Sequence, residues 1–84
     1  MLSERIVAEI KSYPMQYRIK RLRCSLGLSQ KDFARRIGFT QTTVCKWERQ
    51  GVLPSDLAFE AIIKEFDLPL DFFIDAEIDK IKFK

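Results

Sequence analysis

Gln41, Thr42, Cys45, Lys46 and Arg49 crowd one short stretch of this chain, Gln41-Thr42-Thr43-Val44-Cys45-Lys46-Trp47-Glu48-Arg49-Gln50. In a helix, a rotation of about 100° per residue puts Thr42, Cys45, Lys46 and Arg49 in one narrow stripe, with Gln41 at the helix start. Val44, Trp47 and Glu48 fall on the other side. That side contains the large apolar residues and therefore faces the core. The outward stripe offers an amide that donates and accepts at once, a hydroxyl, a thiol, an ammonium and a guanidinium. Groups of this kind read the hydrogen-bonding pattern and charge of a partner. Bond-making chemistry has little to work with: the sequence has no His, no clustered Cys ligands and no phosphate-cradling glycine loop. No enzyme, no metal site and no cofactor is expected. Cys45 is expected to make a surface or apolar contact, not to do redox chemistry.

The elements that must hold this stripe are legible around it. Leu28 to Glu48 reads as two short helices joined by a tight turn. Ser29 and Thr40 stand where a side-chain oxygen can accept from the free N–H groups of each first turn. Gly38 follows the last periodic residue of the first helix, where a left-handed backbone turns the chain sharply. Ala34 is small where the two helices must pass closely. This is the layout of a helix-turn-helix. Before it, the spacing predicts a short helix from Ser3 to Ser12 with Ile6, Val7 and Ile10 on one face. A second is expected from Met15 to Leu26 with Ile19, Leu22, Arg23 and Leu26 at buried-stripe spacing, stopped by Gly27. After the loop Gly51-Val52-Leu53-Pro54, Ser55 caps a helix with Phe59, Ile62, Ile63 and Phe66 inward, ending at Asp67. Pro69 suits the first turn of a last short helix with Leu70 and Phe73 inward. Only Lys80-Ile81-Lys82-Phe83-Lys84 alternates as a terminal strand does.

Eighty-four residues, 46% of them hydrophobic, make one globular domain. No apolar run reaches the ~20 residues of a membrane span, and the N-terminus lacks the order of a signal peptide. A cytoplasmic protein without membrane contact is expected, with Cys24 and Cys45 reduced. The net charge of +3 hides an asymmetry. Residues 15–50 carry nine basic and two acidic side chains, +7, whereas residues 51–84 carry four basic and eight acidic, −4. The basic excess coincides with the helix-turn-helix, where a polyanion would lie.

Taken in order, Ile19-Lys20-x-Leu22-Arg23, Gly27-Leu28-Ser29-Gln30, Phe33-Ala34, Gly38, Val44-x-x-Trp47-Glu48, Pro54 and Leu68-Pro69-Leu70-Asp71-Phe72-Phe73 resemble the phage repressor and Cro family, also called the XRE family. The resemblance spans Arg18 to Phe73. It implies an all-α, compact lambda-repressor-like bundle of about five helices: residues 1–14 as an N-terminal extension, 15–74 as the DNA-binding domain and 75–84 as a charged tail. Two departures are visible. The glycine usual two residues after the Glu is displaced to Gly51, behind Gln50, and the glycine usual at the end of the fourth helix is replaced by Asp67.

The resemblance places the helix 41–50 in the major groove of double-stranded DNA. Gln41 would then meet a base edge, as its amide can donate to and accept from adenine N6 and N7 together. Thr42, Cys45 and Lys46 complete the base-contacting set. Gln30 at a helix start, with Lys31, Arg35, Arg49, Gln50, Arg18 and Lys20, makes up the phosphate-contacting set. Gln30 can also brace the recognition-helix Gln. The resemblance also implies an interhelical salt bridge between Arg23 and Glu48, consistent with the cost of leaving either charge unpaired on a core-facing side. The implied function is a bacterial or phage transcriptional regulator binding a palindromic operator as a homodimer, with the dimer contact around Phe72 and Phe73. The alternative is a protein-interaction module, such as an antitoxin or anti-repressor, that uses the same fold mainly to bind a protein partner.

Overall fold

The computed structural model describes residues 2–73; the expected terminal strand and the charged tail lie outside the described residues. Five helices follow one another: α1 (Glu4–Lys11), α2 (Met15–Ser25), α3 (Gln30–Ile37), α4 (Gln41–Arg49) and α5 (Asp56–Phe66). Four of them open on a hydroxyl cap. Ser3 accepts from the Ile6 N–H at 3.3 Å, Ser29 from Asp32 at 3.1 Å, Thr40 from Thr43 at 3.2 Å and Ser55 from Ala58 at 3.2 Å. Each such cap contributes about 1 kcal/mol to its helix. Pro14 precedes α2 without a side-chain cap; its carbonyl accepts from the Tyr17 N–H at 2.9 Å.

The turn between α3 and α4 depends on Gly38, at φ 80°, with the Phe39 N–H returned to the Ala34 carbonyl at 2.8 Å. Asp67 takes the same left-handed backbone at φ 52° where the family has glycine. The displaced glycine behaves as a shift within the loop: Gln50 caps α4 in a bridge-type conformation, and Gly51 supplies the positive φ of 66°.

Leu22, Phe33, Val44, Ala58, Ile62 and Phe72 are fully enclosed, drawn from α2, α3, α4, α5 and the final turn. Phe33 stacks on Phe66 at 5.4 Å, and Phe39 tilts against Trp47 at 5.5 Å. Ala34, 1% exposed, lets α3 and α4 approach closely.

Leu70 and Ile6, read as inward from the sequence, are corrected, and the burial of two helices is narrower than their apolar spacing. The segment after Pro69 is a turn, closed by the Phe72 N–H on the Pro69 carbonyl at 3.0 Å. Leu70 points out at 83% exposure while both Phe72 and Phe73 turn in, which a helical periodicity of Leu70 with Phe73 does not permit. On α1 only Ile10 is buried; Val7 packs partly and Ile6 is exposed, since a helix at the edge of the bundle meets the core with one narrow strip. On α5, Ala58, Ile62 and Phe66 are the buried residues, whereas Phe59 and Ile63 flank them half-covered.

Candidate nucleic-acid interface

α4 is anchored by its inner face. Val44 is fully buried and Trp47 is 5% exposed. The Glu48 side chain, 2% exposed, receives Arg23 side-on: Nε donates to Oε2 at 2.8 Å and Nη2 to Oε1 at 3.0 Å. Arg23 Nη1 also donates to the Leu28 carbonyl at 2.9 Å, so one guanidinium ties α2, the loop before α3, and α4 together. The hydrogen bonds to Glu48 raise the Arg23 pKa above its ordinary value, against the opposing effect of burial. Glu48 Oε1 additionally accepts from Gln30 Nε2 at 3.2 Å. A carboxylate only accepts, so the amide nitrogen must face it and Gln30 Oε1 must face away. Gln30 thus braces Glu48, where the resemblance pointed to the recognition-helix Gln.

The outer face is different in kind. Gln41, Thr42, Lys46 and Arg49 are exposed and Cys45 is half-covered. None of their side chains has a hydrogen bond or ion pair among the described residues. Thr40 and Thr43, at the start of the helix, bond each other through their hydroxyls at 2.9 Å. The exposed cations Lys31 and Arg35 on α3, with Gln50 at the end of α4, border this stripe in sequence and are likewise unengaged among the described residues. Arg36 is drawn away from it, pairing with Glu65 at 2.8 Å and lying over the Phe66 ring.

Arg18 is a correction. Grouped by sequence with the phosphate contacts, it is 4% exposed, and its guanidinium donates to the Tyr13 carbonyl at 2.8 Å and the Phe72 carbonyl at 2.9 Å. Its role is to join the α1–α2 corner to the final turn. The signal was present: Arg18 stands one helical turn before Leu22, on the edge of the buried stripe. Lys20 lies with Tyr17, Arg21 and Cys24 on the outward face of α2 and is exposed. The proposed dimer residues are also corrected. Phe72 is fully buried and Phe73 is 6% exposed, packed against each other and on Phe59 within the one chain. A ring already enclosed by its own fold has no area to offer a second copy.

A family model described as Helix-turn-helix matches residues 19–73, more than half of the chain. The chain belongs to the Cro/repressor-type helix-turn-helix family. Nothing among curated proteins and nothing among solved structures matches it. This helix-turn-helix family consists of DNA-binding transcriptional regulators, and its members are not characteristically enzymes. Within the helix-turn-helix protein, α3 and α4 are the two motif helices, and α1 lies before the matched residues. No helix among the described residues is long and apolar enough to cross a membrane.

Proposed function

We propose that this protein is a cytoplasmic bacterial or phage regulator that binds a palindromic operator as a homodimer, with α4 in the major groove. The observation that carries the reading is the contrast across α4. Its inner side chains are enclosed or paired, while Gln41, Thr42, Lys46 and Arg49 stand exposed with hydrogen-bonding capacity unspent. In this reading Gln41, Thr42, Cys45 and Lys46 meet base edges. Lys31, Arg35, Arg49 and Gln50 take phosphates, and the N-terminus of α3, opened by Gln30, favours an anion through the helix dipole. Gln30 keeps one amide hydrogen on Glu48 and has the second available for the backbone.

One domain of this size reads few base pairs, and a two-fold dimer doubles both contact and specificity. With Phe72 and Phe73 enclosed, the apolar surface for that dimer is the loop after α4 together with the first turn of α5: Val52 at 46% exposure, Leu53 at 65% and Leu57 at 76%. To match half-sites one helical turn of DNA apart, such a dimer must hold its two recognition helices about 34 Å apart. Selection of bound sequences from a random duplex pool tests the reading. An inverted repeat with half-sites one turn apart is the expected product. Failure to enrich any sequence, or a complex with one subunit per site by sedimentation, overturns it.

A further inference from the structure

Of the outward face of α2, only Lys20 belongs to the expected phosphate contacts. There Tyr13, Pro14, Tyr17, Lys20, Arg21 and Cys24 line a groove of ≈ 520 Å³. Its floor is apolar, built from two phenol rings and a proline, and Tyr17 is 50% exposed. Both charges on its rim are positive. α2 carries no acidic residue at all, so nothing on the helix neutralises Lys20 and Arg21. The Arg21 guanidinium lies 4.6 Å from the centre of the Tyr13 ring, which holds one wall in place. The opposite side of α2 is spent on the core through Ile19 and Leu22 and on Glu48 of α4 through Arg23.

We propose that this groove docks an acidic protein segment carrying apolar side chains. Charge complementarity selects the occupant's carboxylates, which Lys20 and Arg21 would flank. The aromatic floor selects leucine- or phenylalanine-like anchors, whose burial supplies affinity that a phosphate chain cannot gain from tyrosine and proline. Its lining shares no residue with the outer stripe of α4. The proposal does not rest on the DNA reading.

The two cysteines report on the two surfaces separately. Cys24 lines the groove and Cys45 stands on the outer side of α4; neither is in a disulfide. The probe is a short synthetic peptide rich in Asp and Glu with Leu and Phe anchors. Alkylation of the full chain, followed by peptide mass mapping, gives the rate at each thiol. The expected result is slowed alkylation of Cys24 and unchanged alkylation of Cys45. Affinity should fall roughly tenfold or more in Tyr17→Ser and in Arg21→Glu, both surface changes that leave the fold intact by circular dichroism. A peptide with Lys in place of its acids, or Ser in place of its anchors, should give no protection. No protection by the acidic peptide at about 1 mM, the limit of weak recognition, overturns the proposal. Equal protection by the Ser-substituted peptide also overturns it, because charge alone would then suffice. So does protection of Cys24 by duplex or single-stranded DNA in place of the peptide, which would make the groove a nucleic-acid surface. Protection of Cys45 by duplex is read in the same experiment, so the fate of the DNA reading is decided independently.

Discussion

On the inner side of α4, Glu48 accepts from Arg23 and Gln30; on the outer side, Gln41, Thr42, Lys46 and Arg49 have no side-chain partner among the described residues. Both sides are polar, yet their burial differs enough to give them different work. A carboxylate 2% exposed must be satisfied within the protein, because removing it from water costs several kcal/mol if it is left alone. An exposed amide or ammonium is satisfied by water and can exchange that water for a ligand. The inner set therefore belongs to folding and the outer set to recognition. Substitutions can break that division.

The largest effect is expected at the inner pair. Arg23→Ala or Glu48→Ala strands the other charge and should lower folding stability by about 3–5 kcal/mol, measured by urea unfolding. The double variant should cost far less than the two losses added, since the second change removes the stranded group. Additive losses would show that the pair is not coupled. Arg18→Ala comes next, at about 1–3 kcal/mol, because two carbonyls lose their donor inside the protein. Here the division can fail informatively: an unchanged stability with a flatter salt dependence of DNA binding would return Arg18 to the recognition set.

On the outer side, Gln41→Ala should leave stability within about 0.5 kcal/mol and relax preference at one base pair per half-site by roughly 1–3 kcal/mol. A uniform weakening on all sequences would make Gln41 a backbone contact. Lys31→Ala or Arg35→Ala should weaken every sequence alike and flatten the logarithmic salt dependence by about 0.9 per lost phosphate contact. The smallest effect belongs to Lys11 and Asp71, bonded at 2.8 Å on the surface between α1 and the final turn, at 32% and 62% side-chain exposure. The hydrogen bond from Lys11 holds the Asp71 carboxyl below its ordinary pKa, with a lesser contribution from Arg18. A lowered carboxylate pKa means that the unfolded chain binds the proton more readily. The pair's contribution is therefore complete above the ordinary aspartate pKa and fades as pH falls through the lowered one. Lys11→Ala and the parent should accordingly converge in stability on acidification; a difference that grows instead would contradict the assignment.

Arg18 and Arg23 mark how far the sequence could be read. Both are arginines on α2 near its apolar stripe. Arg23 could be assigned inward because its partner, Glu48, occupies a recognisable place on another helix. Arg18 stands at the edge of the same stripe, but the sequence names no partner for it, because its partners are backbone carbonyls of Tyr13 and Phe72, and every residue has a carbonyl. Phe72 and Phe73 failed for a related reason. Hydrophobicity says that a ring will be covered, but not whether its own chain or a second one covers it.

What the sequence determined by itself was local. Hydroxyl caps, glycines at helix ends and the spacing of apolar residues specify where α2 to α5 begin, end and turn their faces, since each depends on neighbours a few residues away. The two sides of α4 were legible on the same ground. Only the tertiary structure decided which side chains meet across elements: Gln30 on Glu48, Arg18 on the final turn, and Phe59 on Phe73. Those contacts join residues far apart in the chain, and their geometry is set by how the helices pack, which no local periodicity encodes.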